Sequence, residues 1–396
     1  MAPKSMPTAP DEAHSGHRSA RGRSSRTNET GRFEPYHRES VDDGWSVADV
    51  DETERVDTTL TAEKAKSIIS RNASPDIGFD RSVNPYRGCE HGCIYCFARP
   101  SHAYLGLSPG LDFETKLFFK PQAATLLRSQ LSKAGYVPDR VQLGANTDCY
   151  QPVAKRLRIT RGVIEVLAEF QHPLGITTKN HLVTRDIDLL APMAERNLSV
   201  VVISITTLDR QLARAMEPRA STPSRRLDAI RALSDAGIPV IVSVARIIPG
   251  LTDHEIEAIL EASANAGARY AHYSMLRLPH ELKDLFKEWL AAERPERAER
   301  VMSLVRQMRG GKENDARFGH RIAGEGPVAQ ILVDRFRLAR RRFAPISSEP
   351  RRSLATSRRC YERRKIVTGR NSRTECPLSP QENMNAGNHR PPARTN

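Results

Sequence analysis

From about residue 140 the chain alternates two patterns of apolar positions. Short runs rich in Val, Ile and Leu ("RVQLGA", "LGITT", "LSVVVISITT", "IPVIVSVARI", "ARYAHYSML") have the near-continuous apolar character of parallel strands buried on both faces. The stretches between them carry a helical period. In "TRGVIEVLAEF", Val163, Val166, Leu167 and Phe170 fall on one face. In "TDHEIEAILEASANAG", Thr252 and Glu255 have capping-box spacing, and Gly267 is placed to end the helix. The segment "DRSVNPYRG", before residue 89, supplies a further strand and brings the series to about six strand–helix units. That falls short of the eight that close a full barrel. The expected architecture is therefore α/β, a partial (βα)6 barrel or an open, curved sheet, with ligands gathered at the C-terminal ends of the strands. Beyond the last strand, "PHELKDLFKEWLAAERPERAERVMSLVRQMRGG" and "GPVAQILVDRFRLARRRF" read as helices covering the sheet's open side.

The ends of the chain lack such a period. Residues 1–55 are rich in Ser, Arg, Gly, Pro and Glu, the composition of a disordered arm. Residues 56–310 are expected to form the barrel, 311–343 a helical extension and 344–396 a basic disordered tail. The formal charge of +14 invites a nucleic-acid partner, because basic surfaces attract phosphates. However, residues 341–396 alone hold 13 Arg and Lys against four Glu, so the folded part is only mildly basic. No signal region opens the chain, and its longest apolar runs are too short to span a bilayer. The expectation is a soluble cytoplasmic protein with no membrane contact.

Chemistry concentrates in "NPYRGCEHGCIYCFARP", residues 84–100, where Cys89, Cys93 and Cys96 lie within eight residues of a chain with six cysteines. In a reducing compartment such a group points to metal or catalysis rather than disulfides. Gly88 and Gly92 permit the tight turns needed to wrap three thiolates around one centre. A structural zinc would need His91 or His102 as a fourth ligand. An iron–sulfur cluster held by three thiolates would leave one iron open, which suits a catalyst. Cys149 lies near a strand end, and Cys360 and Cys376 lie in the tail. Two classes stay open: an enzyme with an open-iron cluster, or a nucleic-acid-binding or regulatory protein in which zinc or a redox-sensing cluster joins the basic tail. The missing fourth ligand and the repeated strand–helix units fit the enzyme better.

The segment "CEHGCIYC" resembles the C-x3-C-x-aromatic-C signature of the radical S-adenosylmethionine (SAM) superfamily, with Tyr95 as the aromatic. "LGANTDCYQPVAKRLRITR", "ITTKNHLVTRDIDLL" and "IIPGLTDHEIEAIL" extend the resemblance over roughly residues 55–343, to the subgroup related to spore photoproduct lyase and labelled DNA repair photolyase-like. It implies a partial (βα)6 radical SAM barrel in which Cys89, Cys93 and Cys96 bind a [4Fe-4S] cluster. The open iron would chelate SAM, whose reductive cleavage gives a 5′-deoxyadenosyl radical for hydrogen abstraction. It also implies a reducing partner such as flavodoxin or ferredoxin, and it makes a nucleic-acid lesion or base a candidate substrate.

SAM needs partners for its carboxylate, ribose and adenine, and polar residues at strand ends are the candidates. Tyr95 belongs to the signature. Asn146, Thr147 and Asp148 follow the second strand, where they also suit a turn. Lys179 follows the third and, by the resemblance, meets the SAM carboxylate; the alternative is an exposed lysine at a strand end. Ser204 sits among apolar residues of the fourth, facing either ribose or backbone. Arg219 and Arg246 suit a carboxylate or phosphate. Tyr86, Phe97, Tyr104 and Tyr150 are further aromatics able to stack on a base. In spore photoproduct lyase a cysteine of the second-strand loop returns a hydrogen atom to the product radical. The matching position here is Ala145, and Cys149, four residues on, is the candidate replacement as a catalytic thiol, with a buried structural role as the alternative.

Overall fold

A computed structural model describes residues 22–34 and 56–343. Ten strands are present: β1 (Thr59–Ala62), β2 (Ile69–Arg71), β3 (Arg81–Val83), β4 (Tyr86–Arg87), β5 (Lys116–Phe119), β6 (Val141–Leu143), β7 (Leu174–Thr178), β8 (Ser199–Ile205), β9 (Val240–Ile247) and β10 (Tyr270–Met275). The helices are α1 (Leu111–Thr115), α2 (Ala123–Leu131), α3 (Ala154–Leu157), α4 (Ile159–Glu169), α5 (Ile187–Glu195), α6 (Arg210–Met216), α7 (Pro223–Asp235), α8 (Ile256–Asn265), α9 (Leu282–Glu293), α10 (Pro295–Gln307), α11 (His320–Ala323) and α12 (Gly326–Arg342).

The main sheet has the order β10-β9-β8-β7-β6-β3-β2. From β3 through β10 every neighbouring pair is parallel, and β2 joins the edge antiparallel to β3. Each successive parallel strand is laid beside the one before it, so the sheet winds in one direction and stops without closing. This is the partial (βα)6 barrel expected from the apolar rhythm. Strand alternation divides its faces. Val201, Ile203 and Ile205 of β8, with Val240, Val242 and Val244 of β9, join the main core under the helices. Val200, Val202 and Ile241 form a separate cluster on the other face. Ser204 shares their parity and lies opposite Ser243, one step nearer the C-terminal mouth.

The amphipathic face read in α4 is observed, with Val163, Val166 and Leu167 buried and Phe170 packed against the same core. Gly267 takes φ +102° just past the end of α8, and Ala268 N–H reaches back to Ser263 O. The expected capping box does not form. Glu255 is drawn away, accepting from Thr207 Oγ1 (2.5 Å) and Leu208 N (2.6 Å) at the end of β8, while Thr252 Oγ1 accepts from Ile248 N (3.0 Å).

Two features were not expected. A second sheet, order β1-β5-β4, carries the root of the cysteine loop; its strands are two to four residues long, too short to show a pattern. Residues 22–34, placed by composition in the disordered arm, are packed against the domain. They are held by polar groups, buried at Glu114 and half-buried at Glu281, Glu288 and Glu293, so no apolar period was needed. The remainder of the arm and the basic tail, with Cys360 and Cys376, lie outside the described residues. No helix among the described residues is long and apolar enough to cross a membrane.

Gly144 ends β6 with φ +74°, and a Cβ there would lie 2.2 Å from Thr177 O on the neighbouring strand. Gly144→Ala is expected to cost about 2–4 kcal/mol through strain and displacement of β7. Gly162, inside α4, meets only an ordinary 3.6 Å contact with Ala124. Gly162→Ala should instead gain about 0.5–1 kcal/mol. Denaturant unfolding of the two variants checks the opposite signs.

Candidate active site at the strand ends

The cysteine loop leaves β4 through closely spaced turns. Cys89 N donates to Phe113 O (2.9 Å), Cys96 N to Cys93 O (3.1 Å) and Arg99 N to Cys96 O (3.1 Å), while Ile94 N is fixed to Met216 O (3.0 Å). Gly88 and Gly92 take φ +75° and +63°. A Cβ on Gly92 would lie 2.6 Å from Glu114 Oε2, and one on Gly88 2.6 Å from Leu117 Cδ2, so glycine is required by proximity as well as by φ. Cys89 and Cys93 are buried and Cys96 is half-buried, which places the open side of the loop at its last thiol.

A buried ion pair braces this loop. Arg99 and Glu114 have no exposed side-chain surface. The Arg99 guanidinium donates to Cys93 O, Pro109 O, Gly110 O, Gly92 O, Ser24 Oγ and Glu114 Oε1. Glu114 also accepts from Ser24 N and from Ser25 N. Residues 22–34 thus act as a strap. Ser24 donates to Gly92 O within the loop, and Arg23 to Glu114 O, Val56 O and Thr58 Oγ1. Further along, Arg26, Thr27 and Arg32 bind Glu293, Glu288 and Glu281 of α9 and its approach. Glu90 is held by Thr58 Oγ1 (2.8 Å), by Arg219 Nη1 (3.3 Å) and, at its amide, by Gln151 Oε1 (2.8 Å).

The donor set selects what this loop can hold. Burial first, then Asp148 and the other two cysteines, pushes the Cys89 thiol up. Burial likewise raises Cys93, with Lys179 acting the other way. Three thiolates are stable here only around a multivalent cation. Around one zinc their sulfurs would approach to about 3.8 Å, from a Zn–S bond near 2.3 Å. Among the described residues, the one group of three or more such ligand atoms within 4.8 Å of one another is Asp315, His320 and Glu325, without any cysteine. Of the candidate fourth zinc ligands, His91 is engaged at both nitrogens, by Asp148 and Asn180, whereas His102 meets Lys116 O through Nε2 and keeps a buried, unpartnered Nδ1. Three thiolates that leave one coordination position open fit an iron–sulfur cluster.

The remaining candidates fall into three groups. Thr147 and Asp148 are bracing groups: Thr147 Oγ1 donates to Tyr86 O (2.8 Å), and Asp148 accepts from Tyr150 N, Thr178 Oγ1 and Lys179 N while facing His91 Nδ1 at 3.3 Å. Burial alone would raise the Asp148 pKa, but the His91 charge and hydrogen bond and the two amides hold it down at about 2. Lys179, Ser204, Arg246 and Tyr95 surround the mouth. Lys179 Nζ lies 5.7 Å from the centre of the Tyr95 ring, and Tyr95 Oη is 2.8 Å from Thr206 Oγ1, which donates to Glu217, the partner of buried Arg226. The register of β9 against β10 slips by one residue between Ser274 and Met275, leaving Arg246 as an unopposed bulge residue. Its side chain reaches Ser274 Oγ (2.5 Å) and the Phe97 ring (5.1 Å). Asn146 is exposed and Arg219 half-exposed at the rim.

Cys149 is fully buried in the main core, the position of a packing thiol. Of the aromatics, Tyr86, Tyr95 and Tyr150 are buried, so they are not open to stacking on a base, and exposed Tyr104 packs in a tilted arrangement against Phe33. Phe97, half-buried, is the aromatic left at the opening.

Comparison with known proteins decides the family. The family model described as the radical SAM superfamily matches residues 83–262. The uncharacterized protein Rv2578c of Mycobacterium tuberculosis is 38% identical over 231 residues, 58% of this chain and 68% of that one. The chain belongs to the radical SAM superfamily. This radical SAM enzyme therefore has a [4Fe-4S] cluster and SAM as its cofactors. It is also similar to the uncharacterized protein MJ0683 of Methanocaldococcus jannaschii, 25% identical over 59% of this chain and 83% of that one. Spore photoproduct lyase complexed with dinucleoside spore photoproduct shares the fold, with a TM-score of 0.53 and 16% identity over 72% of this chain and 80% of that chain.

Sequence reasoning missed Arg99, Glu114, Gln151, Glu217, Arg226 and the strap, because single buried charges carry no spacing signal. Glu114→Ala leaves the Arg99 charge buried and unpaired, and is expected to cost about 3–5 kcal/mol and to lower the iron retained per chain after gel filtration. For Asp148 the folded pKa is depressed, so its stabilisation is present above the unfolded value near 3.9 and lost as pH falls toward 2. Asp148→Asn should lose about 2 kcal/mol at pH 7 and flatten the acid limb of a stability–pH curve between about pH 4 and 2.

Proposed function

We propose that Cys89, Cys93 and Cys96 hold the [4Fe-4S] cluster, and that SAM lies over the sheet's C-terminal mouth between the cluster and Lys179, Ser204 and Arg246. The observation that supports this is the gathering of three thiols, two buried and one half-buried, in one braced loop at the mouth of a parallel sheet. When bound, the two cofactors supply one-electron reductive cleavage of a carbon–sulfur bond and, from it, hydrogen-atom abstraction. The chain's own residues do the rest. Lys179 and Arg246 bring positive charge to the mouth for the SAM carboxylate. Ser204 offers a hydroxyl to the ribose, Tyr95 packs beneath Lys179, and Asn146 and Arg219 form the rim. Thr147 and Asp148 keep the loop after β6 in register with β7 and His91.

The electron comes from a partner of flavodoxin or ferredoxin type, and the setting is the cytoplasm, where thiols stay reduced. A nucleic-acid lesion or base is the substrate class we favour, in line with the fold shared with spore photoproduct lyase. Repair of that enzyme's own lesion is not part of the proposal: Ala145 stands at the matching position, and Cys149 is buried in the core.

Protein reconstituted without oxygen should contain close to four iron and four sulfide per chain and, with dithionite and SAM, yield 5′-deoxyadenosine by chromatography. Cys93→Ala should lose both the cluster absorbance and the product. Stoichiometric zinc with no deoxyadenosine from the native protein would overturn the reading.

A further inference from the structure

The mouth holds more positive charge than the cofactors account for. Phe97, directly after the last cluster thiol, has the Arg246 guanidinium 5.1 Å and the Arg277 guanidinium 4.8 Å from its ring centre. Arg246 feels Cys93 and Cys96, so the cluster and its thiolates balance that charge. Arg277, on the loop after β10, is half-buried, and among the described residues it has no hydrogen bond or ion pair beyond its contact with Phe97. Its neighbours worsen its position. Burial first, then Arg246, Arg321 and Arg309, pulls its pKa down to about 10, which leaves it cationic at neutral pH. The nearby carboxylate, Asp76, is already committed to Arg321 and to Gly319 N. Arg309 spends its guanidinium on His320 O and Leu276 O.

A partly buried guanidinium with no counter-charge is costly, and an arginine kept in that state calls for an anion that arrives from outside. The planar fork of arginine pairs in two-point fashion with oxyanions. We propose that Arg277, beside Phe97, forms a subsite for a phosphoryl group of the substrate, which holds the rest of that substrate against the cluster mouth. The SAM carboxylate is met by the groups nearer the thiols, so this subsite acts in addition to SAM binding. A phosphoryl group suits it better than a second carboxylate because it carries more charge into a region where Arg277, Arg309 and Arg321 outnumber Asp76. The inference rests on the reading of the mouth as the SAM and substrate site, and it narrows the substrate to phosphate-bearing molecules, nucleotides and nucleic acids among them.

The test is calorimetric titration of inorganic phosphate into the cluster-loaded protein saturated with SAM, with succinate as the carboxylate counterpart. The expected result is phosphate binding in preference to succinate. Arg277→Gln should weaken it about tenfold or more, the loss of one charge-assisted hydrogen-bonding group, and Arg277→Lys should weaken it less. Arg300→Gln, the same charge change on the exposed face of α10, should not alter it. Iron content and circular dichroism of each variant show that fold and cluster persist. Absence of phosphate binding to the native protein, equal binding by Arg277→Gln, preference for succinate or displacement of phosphate by SAM would each overturn the proposal. Its failure is separate from that of the cluster assignment: cluster-loaded protein that ignores phosphate refutes only the subsite, whereas phosphate held through Arg277 in protein that takes up no iron refutes only the cofactor reading.

Discussion

Arg99 carries a guanidinium into the interior six residues after Cys93, and Glu114 meets it there with no exposed surface on either side chain. Such a pair contributes little net stability, because desolvating two charges offsets most of their attraction. Its value here is directional. The guanidinium has donors aimed at four backbone carbonyls around the cysteine loop, and the carboxylate collects the two backbone amides of residues 24 and 25. A loop of thiols whose own burial opposes ionisation would otherwise collapse or spread. The saturated pair leaves it one conformation.

The sheet supplies the complementary half. Because each parallel strand lies beside its predecessor, the strand ends deliver Asp148, Lys179, Ser204 and Arg246 in sequence around one rim. Small departures from regularity then aim them. The bulge at Arg246 turns a side chain that strict alternation would have placed elsewhere, and Asp148 locks the end of β7 to His91 through bonds from either side. Phe97, half-buried between two guanidinia, marks where this rim meets solvent.

The parallel strands, their helices and the cysteine loop were legible because they leave periodic or clustered marks: apolar runs on β8 and β9, one face of α4, three thiols beside two glycines. The site's brace was illegible for the opposite reason. Arg99 and Glu114 are single residues fifteen positions apart, and Ser24 and Ser25 sit in a stretch of low-complexity composition. Their partners are chosen by the fold, so nothing local announces them. The capping box at Thr252 and Glu255 failed through the same tertiary preference, since Glu255 finds better donors on Thr207 and Leu208. Position along a strand singled out Thr147 and Asp148, yet could not distinguish a group that faces a ligand from one that braces the loop behind it.

The strap has a consequence for the order of events during synthesis. Arg26 and Arg32 close onto Glu293 and Glu281 across separations of 267 and 249 residues. The segment that seals the cysteine loop is thus made before the loop itself, but its anchors on α9 are made long after. Until the chain has emerged through Glu293, the strap has nothing to close against on that side, and the thiols remain reachable from the face it later covers. The seal over the cysteine loop is thus completed only once α9 has been made.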